Sequence, residues 1–166
     1  MSYSTTLGLL ASVVLLNPAA ATAQGKLEQP GGDFNGKHTI PANTTGSHAR
    51  LGTLLNGGEI EVGKGCKMIR LSMAGIKRDS FEKDLEGAVR VGDDCKDVAV
   101  YVEDSFDTTG KLFVGDNCSV EVMVGSDVRG TVVVGKNSTV IISYKGDTDN
   151  LAKQVGAGSV LDLNKR

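Results

Sequence analysis

Apolar and polar residues alternate along most of this chain, and the alternation returns in blocks. In each block a glycine opens a four-residue stretch that is apolar at every second position, and a Val-Gly pair closes it. Gly58-Glu-Ile-Glu-Val-Gly-Lys-Gly-Cys66 aligns with Gly87-Ala-Val-Arg-Val-Gly-Asp-Asp-Cys95 and with Gly110-Lys-Leu-Phe-Val-Gly-Asp-Asn-Cys118. Gly130-Thr-Val-Val-Val-Gly-Lys-Asn-Ser138 is a fourth copy, and Val155-Gly-Ala-Gly-Ser159 is a degenerate fifth. The glycines of the Val-Gly pairs stand at 63, 92, 115, 135 and 156, which spaces them by 29, 23, 20 and 21 residues. Period-two alternation in runs this short predicts strands rather than helices.

A second alternating run follows every Cys or Ser. Val120, Val122 and Val124 share a parity with Cys118. Val140, Ile142 and Tyr144 share one with Ser138, as do Leu161 and Leu163 with Ser159. In the two earlier copies the run starts one residue later, at Ile69, Leu71, Met73 and at Val98, Val100, Val102. One extra residue at the same place in both predicts a β-bulge or a longer turn. Each repeat therefore reads as strand, tight turn, strand and a loop of variable length.

A unit of this size cannot bury its own apolar face and must stack on its neighbours. The expectation is an all-β, single-domain parallel β-solenoid of about five rungs of 20–29 residues, each about 4.8 Å above the last. The pattern resembles β-helix solenoids in general. A six-residue periodicity, typical of left-handed hexapeptide helices, is absent, which favours the right-handed form. Pro18, Pro30 and Pro41 all precede the repeats, as central ladder strands require. Residues 58–166 are expected to form the repeat domain and residues 24–57 an irregular N-terminal extension. Within that extension, His48 to Leu55 are expected to lie as a short helix or strand over the edge of the first rung.

The start of the chain carries a different pattern. Leu7 to Leu16 is an apolar run of ten, followed by Asn17-Pro18 and by Ala21-Thr22-Ala23. This predicts a signal peptide over residues 1–23 with cleavage before Gln24, although Met1 to Thr6 contain no Lys or Arg. The run is shorter than the roughly 20 apolar residues that span a bilayer. A secreted, extracellular location is the expectation. The sequons at Asn43, Asn117 and Asn137 are then candidate glycosylation sites.

Composition narrows the chemistry. Eighteen Lys and Arg against twenty Asp and Glu leave a net charge of −2, without the basic surplus that nucleic acid demands. Trp is absent and Phe and Tyr are few, so no stacked-aromatic sugar platform is expected and the core must be aliphatic. The only histidines, His38 and His48, lie outside the repeats, and no phosphate-binding glycine motif occurs. Cys66, Cys95 and Cys118 hold one repeat position, continued by Ser138 and Ser159. The odd count and the parallel Cα–Cβ vectors of stacked residues favour a ladder of buried free thiols over a bridge.

Two groups of side chains suggest function. Asp93 and Asp116 follow successive Val-Gly pairs, and Asp79 and Asp104 open a repeated Asp-Ser-Phe triplet. Such carboxylates are candidate Ca²⁺ ligands, and Lys77 or Arg78 would be the base of a lyase-like enzyme acting on acidic polysaccharide. Outward positions of the later rungs carry Phe113 and Val133 on the first strand and Met123 and Ile141 on the second. An exposed apolar patch of that kind marks a contact surface. The leading expectation is a secreted, non-enzymatic interaction module, such as an effector, adhesin or wall- or matrix-associated protein, whose partner is an extracellular protein or polysaccharide. The alternatives are the Ca²⁺-dependent lyase and a homo-oligomeric structural protein that stacks through Leu161 and Leu163.

Overall fold

The computed structural model describes residues 27–28, 33–73 and 84–166. Among the described residues, thirteen strands alternate between two parallel sheets and there is no helix. One sheet holds four-residue strands: β2 (Lys37–Ile40), β4 (Glu59–Val62), β6 (Ala88–Val91), β8 (Lys111–Val114), β10 (Thr131–Val134) and β12 (Ala152–Val155). The other holds β1 (Leu27–Glu28), β3 (His48–Leu51), β5 (Lys67–Met73), β7 (Lys96–Val102), β9 (Ser119–Val124), β11 (Thr139–Tyr144) and β13 (Val160–Lys165). Each strand pairs with the strand one turn away, so the chain is a β-solenoid.

Equivalent residues lie over one another. Ile60, Val89, Leu112 and Val132 form one interior column of the short-strand sheet, and Leu71, Val100, Val122 and Ile142 form one in the long-strand sheet. All eight are buried. A third column runs along the corner after the long strands, where Phe34, Leu54, Leu85, Phe106 and Val128 make successive parallel bridges. The core is aliphatic, as composition requires; Phe106 and Tyr144 are its buried aromatic rings.

The predicted bulge is present. Ile69 pairs with Val98 and Lys67 with Lys96, and both Met68 (φ 52°) and Asp97 (φ 55°) take the left-handed conformation. In the next rung Val98 pairs directly with Val120, and the extra residue is gone. The Arg70 guanidinium fixes the bulge by donating to both carboxylate oxygens of Asp97, at 3.1 and 3.2 Å, and to its carbonyl at 2.8 Å.

The N-terminal region is more regular than its sequence suggests. Lys37–Ile40 pair in register with Glu59–Val62, and His48–Leu51 with Arg70–Met73. Residues 37–51 thus form a full rung where an irregular extension was expected. Pro41 stands where later rungs have glycine, and Thr44 stands where they have Cys or Ser, so the template does not register there. Pro41 is tolerated because it sits in the turn and not in a ladder. The expected signal segment lies outside the described residues. Among the described residues no helix is long and apolar enough to cross a membrane.

Close stacking makes several glycines obligatory. A Cβ on Gly110 would strike the Leu85 carbonyl and come within 2.7 Å of the Phe106 ring. Neither backbone nor a fully buried ring can retreat. Gly110→Ala is therefore expected to destabilise the fold by about 1–3 kcal/mol, the ordinary cost of overpacking. Gly46→Ala, where nothing lies within 4 Å, should cost only about 1–2 kcal/mol for its left-handed backbone. Paired urea melts of the two variants measure the difference.

Candidate functional site

The turn that follows each short strand is built from three columns. Asn43, Gly65, Asp94, Asn117, Asn137 and Gly158 all have φ between 52° and 72°. Glycine, Asn and Asp are the residues that accept this conformation most readily. Their backbone N–H groups reach to the next rung: Gly65 to the Asp93 carbonyl, Asp94 to that of Asp116 and Asn117 to that of Lys136, each at 2.8 Å. The three sequon asparagines belong to this column and are exposed. Turn geometry thus accounts for Asn at these places whether or not a glycan is attached.

The next column points inward and reads Thr44, Cys66, Cys95, Cys118, Ser138, Ser159. Each thiol or hydroxyl from Cys66 onward donates to the carbonyl at the turn's start one rung back. Cys66 donates to Pro41 and Cys95 to Gly63, both at 3.2 Å. Cys118 donates to Gly92 at 3.1 Å, Ser138 to Gly115 at 2.8 Å and Ser159 to Gly135 at 2.5 Å. Thr44 Oγ1 donates to the Pro41 carbonyl within its own rung, at 2.6 Å. The serines also accept from backbone: Ser138 Oγ from Cys118 N–H and Ser159 Oγ from Ser138 N–H, both at 2.9 Å. The cysteines are free and buried, and they supply directed donors as well as filling space. A hydrogen bond to Cys118, together with burial, pushes the Cys95 thiol up. The neighbouring Cys95 thiol lowers that of Cys118.

Of the candidate metal ligands, Asp93 and Asp116 each bond to backbone one rung on. Asp93 Oδ1 accepts the Asp116 N–H at 2.9 Å, and Asp116 Oδ1 accepts the Lys136 N–H at 2.6 Å. Both carboxylates cap the turn of the following rung. Asp104 lies at the other corner, after β7, and Asp79, Lys77 and Arg78 lie outside the described residues. The same capping device recurs at that second corner. Asp84 Oδ1 accepts the Ser105 N–H and Asp127 Oδ1 the Asp147 N–H, both at 2.8 Å. Register there pairs Phe106 with Leu85, so the two Asp-Ser-Phe triplets do not occupy equivalent places. Asp84, Asp104 and Asp107 do line one notch with Ser105, Ser126 and Arg129. Among the described residues, no group of three or more His, Cys, Asp and Glu side chains is arranged to hold a metal ion.

The proposed contact residues divide between two faces. Phe113 and Val133 are register partners on the outside of the short-strand sheet, in the column Thr39, Glu61, Arg90, Phe113, Val133, Gln154. Met123 and Ile141 lie on the other sheet and are not lateral neighbours. Met123 pairs with Tyr101 and Ser143, and Ile141 with Glu121 and Asp162. Tyr101, 41% exposed, is the aromatic partner of Met123 that sequence reading overlooked. Parity gives it an outward position, but only register brings it beside Met123.

The short-strand face is the more organised of the two. The Arg90 guanidinium lies 4.1 Å from the centroid of the Phe113 ring, and its Nε donates to Glu59 at 2.8 Å. Lys37 bridges Glu59 and Glu61, at 2.9 Å to each. Two shallow depressions flank this group and share Arg90. One contains Asn56, Glu86 and Lys111; the other contains Glu61, Lys64 and Phe113. Arg90 first, then Lys37, holds the Glu59 carboxyl below its ordinary value, while Glu61 and Glu59 raise that of Lys37. No family model matches the chain, and neither the curated proteins nor the solved structures provide a match.

Two measurements follow from this geometry. The three thiols should react with an aromatic disulfide reagent only on unfolding, and all three should titrate without prior reduction. Cys118→Ser should lie within about 1 kcal/mol of wild type, whereas Cys118→Ala removes a donor from a buried carbonyl and costs about 1–3 kcal/mol. For Glu59, the folded value lies below the unfolded one, near 4.5. Its contribution is complete above that pH and is lost as the pH falls through the folded value. Glu59→Gln should lower Tm slightly at neutral pH, as exposed pairs do, and the gap should close in acid.

Proposed function

We propose that this chain is a secreted, non-enzymatic β-solenoid that works as a rigid interaction surface, and that its contact face is the outside of the short-strand sheet. The observation that carries this reading is the Arg90–Phe113 stack with Val133 in register beside it. Parallel strands on both sides hold these side chains at fixed spacing, so little conformational entropy remains to be lost on docking. Arginine and aromatic residues dominate the energetics of protein interfaces. The surrounding Lys37, Glu59, Glu61 and Lys111 would form a polar rim of both signs, which suits an extracellular protein better than a uniformly charged polymer. The apolar run at Leu7 to Leu16 and the Ala21-Thr22-Ala23 site support export.

Expression in a secretory host is expected to release a protein that begins at Gln24, read by intact mass. That protein is then used to probe a display library of extracellular domains. For a true partner, Phe113→Ala or Arg90→Ala should weaken binding by roughly thirtyfold, the scale of one hot-spot residue, with Tm little changed for Arg90→Ala. Binding that survives both substitutions but fails on Tyr101→Ala would place the contact on the opposite sheet and overturn the reading.

A further inference from the structure

The left-handed turn column reads Asn43, Gly65, Asp94, Asn117, Asn137, Gly158 and holds three sequons. Two of these, at Asn117 and Asn137, fall on successive rungs, so their backbones stand about 4.8 Å apart. The third, Asn43, is three rungs from Asn117 and bears on neither. Asn117 and Asn137 are both exposed, but their surroundings differ. Asn117 has a side chain on either side, Asp94 one rung back and Asn137 one rung on. Its Nδ2 donates to Asp94 Oδ1 at 3.0 Å, and Lys64 Nζ holds the other oxygen of that carboxylate at 3.3 Å. Asn137 has a glycine on its far side. A Cβ on Gly158 would come within 2.6 Å of Asn137 Oδ1, so the amide oxygen lies over space that the glycine leaves open. The planar amide then carries Nδ2 on its other arm, where among the described residues it meets no acceptor.

We infer that, in a secretory pathway that attaches N-linked oligosaccharide, the released protein carries a glycan on Asn137 and none on Asn117. The inference rests on the reading of this chain as secreted. In the transfer, Nδ2 bonds to C1 of the first sugar of a polyprenyl-pyrophosphate oligosaccharide. The bond from C1 to the phosphate oxygen breaks, the lipid pyrophosphate leaves with its electron pair, and Nδ2 loses one proton. On Asn137 the sugar has the open side over Gly158. On Asn117 it would have to fit between two side chains, and it would crowd the Asp94 carboxylate that Nδ2 already contacts. Sugars on both residues would have to leave the column about 4.8 Å apart, closer than two pyranose rings with their substituents pack side by side. Transfer precedes folding, so the folded column acts as a filter. A chain modified at Asn117 cannot bring Asp94 and Asn137 to their places beside it, and is retained.

Expression in a eukaryotic secretory host tests this, once with residues 1–23 and once with the host's own leader in their place. The released protein is treated with a glycan-removing amidase in water labelled with oxygen-18, which turns each formerly glycosylated Asn into heavy Asp. Peptide mass mapping should find the label at Asn137 and not at Asn117. The double variant Asp94→Gly, Asn137→Gly leaves the Asn117-Cys118-Ser119 triplet intact and gives it glycine on both sides. Its released form should gain label at Asn117. Gly158→Asn creates no sequon, because Val160 stands at the third position, and should strip the glycan from Asn137. All of these substitutions keep a residue that accepts the left-handed backbone, and circular dichroism shows that each variant is folded. Label at Asn117 in released wild type, none at Asn137, or no gain at Asn117 in the double variant would each overturn the inference. Release with the host leader alone would instead sink the reading of residues 1–23 as a signal, and the glycan pattern would still decide between Asn117 and Asn137.

Discussion

Parallel hydrogen bonding between successive turns of one chain is the constraint on which everything else in this molecule depends. Once one strand has paired with its equivalent a turn later, each residue stands over its counterpart, and every column acquires a single character. The interior column Ile60–Val89–Leu112–Val132 stays aliphatic from rung to rung. A turn that needs a left-handed residue in one rung needs it in all of them, which yields Asn43, Gly65, Asp94, Asn117, Asn137 and Gly158.

The corners show how a solenoid satisfies backbone groups that its sheets cannot. Between strands the chain turns away from its neighbours, and N–H groups there lose their ladder partners. Side chains take over: Asp93 and Asp116 at one corner, Asp84 and Asp127 at the other, each accepting from the equivalent residue one rung on. The inward Cys and Ser column does the converse, donating to carbonyls one rung back. A buried polar group without a partner costs about 1–3 kcal/mol, so these small side chains contribute more to stability than their apolar area suggests. It also explains why Cys and Ser replace each other down the column while Ala never appears in it.

Much of the fold was legible in the sequence because the repeat is written in residue types that few other structures use at that spacing. The Val-Gly turn, the Cys/Ser column and the alternation of the flanking strands were enough to reveal the rungs and the bulge. The first rung escaped because Pro41 and Thr44 serve its turn in place of glycine and cysteine. The Asp-Ser-Phe triplets misled for a related reason. Motif identity sets Phe81 against Phe106, whereas the ladder sets Leu85 there. For Asp93 and Asp116, nothing in a sequence shows that each carboxylate accepts a backbone N–H one rung away.

For this protein, then, the order of residues was sufficient to specify which side chains face inward, because that follows from alternation within a single strand. It also specified that like positions would stack, because no isolated repeat could bury its apolar face. What only the tertiary structure decided was which outward side chains become neighbours. Met123 met Tyr101, and Ile141 was left between Glu121 and Asp162. Lateral neighbours depend on the register between rungs, and register is set by loop lengths and a bulge acting together over the whole stack, not by any one strand.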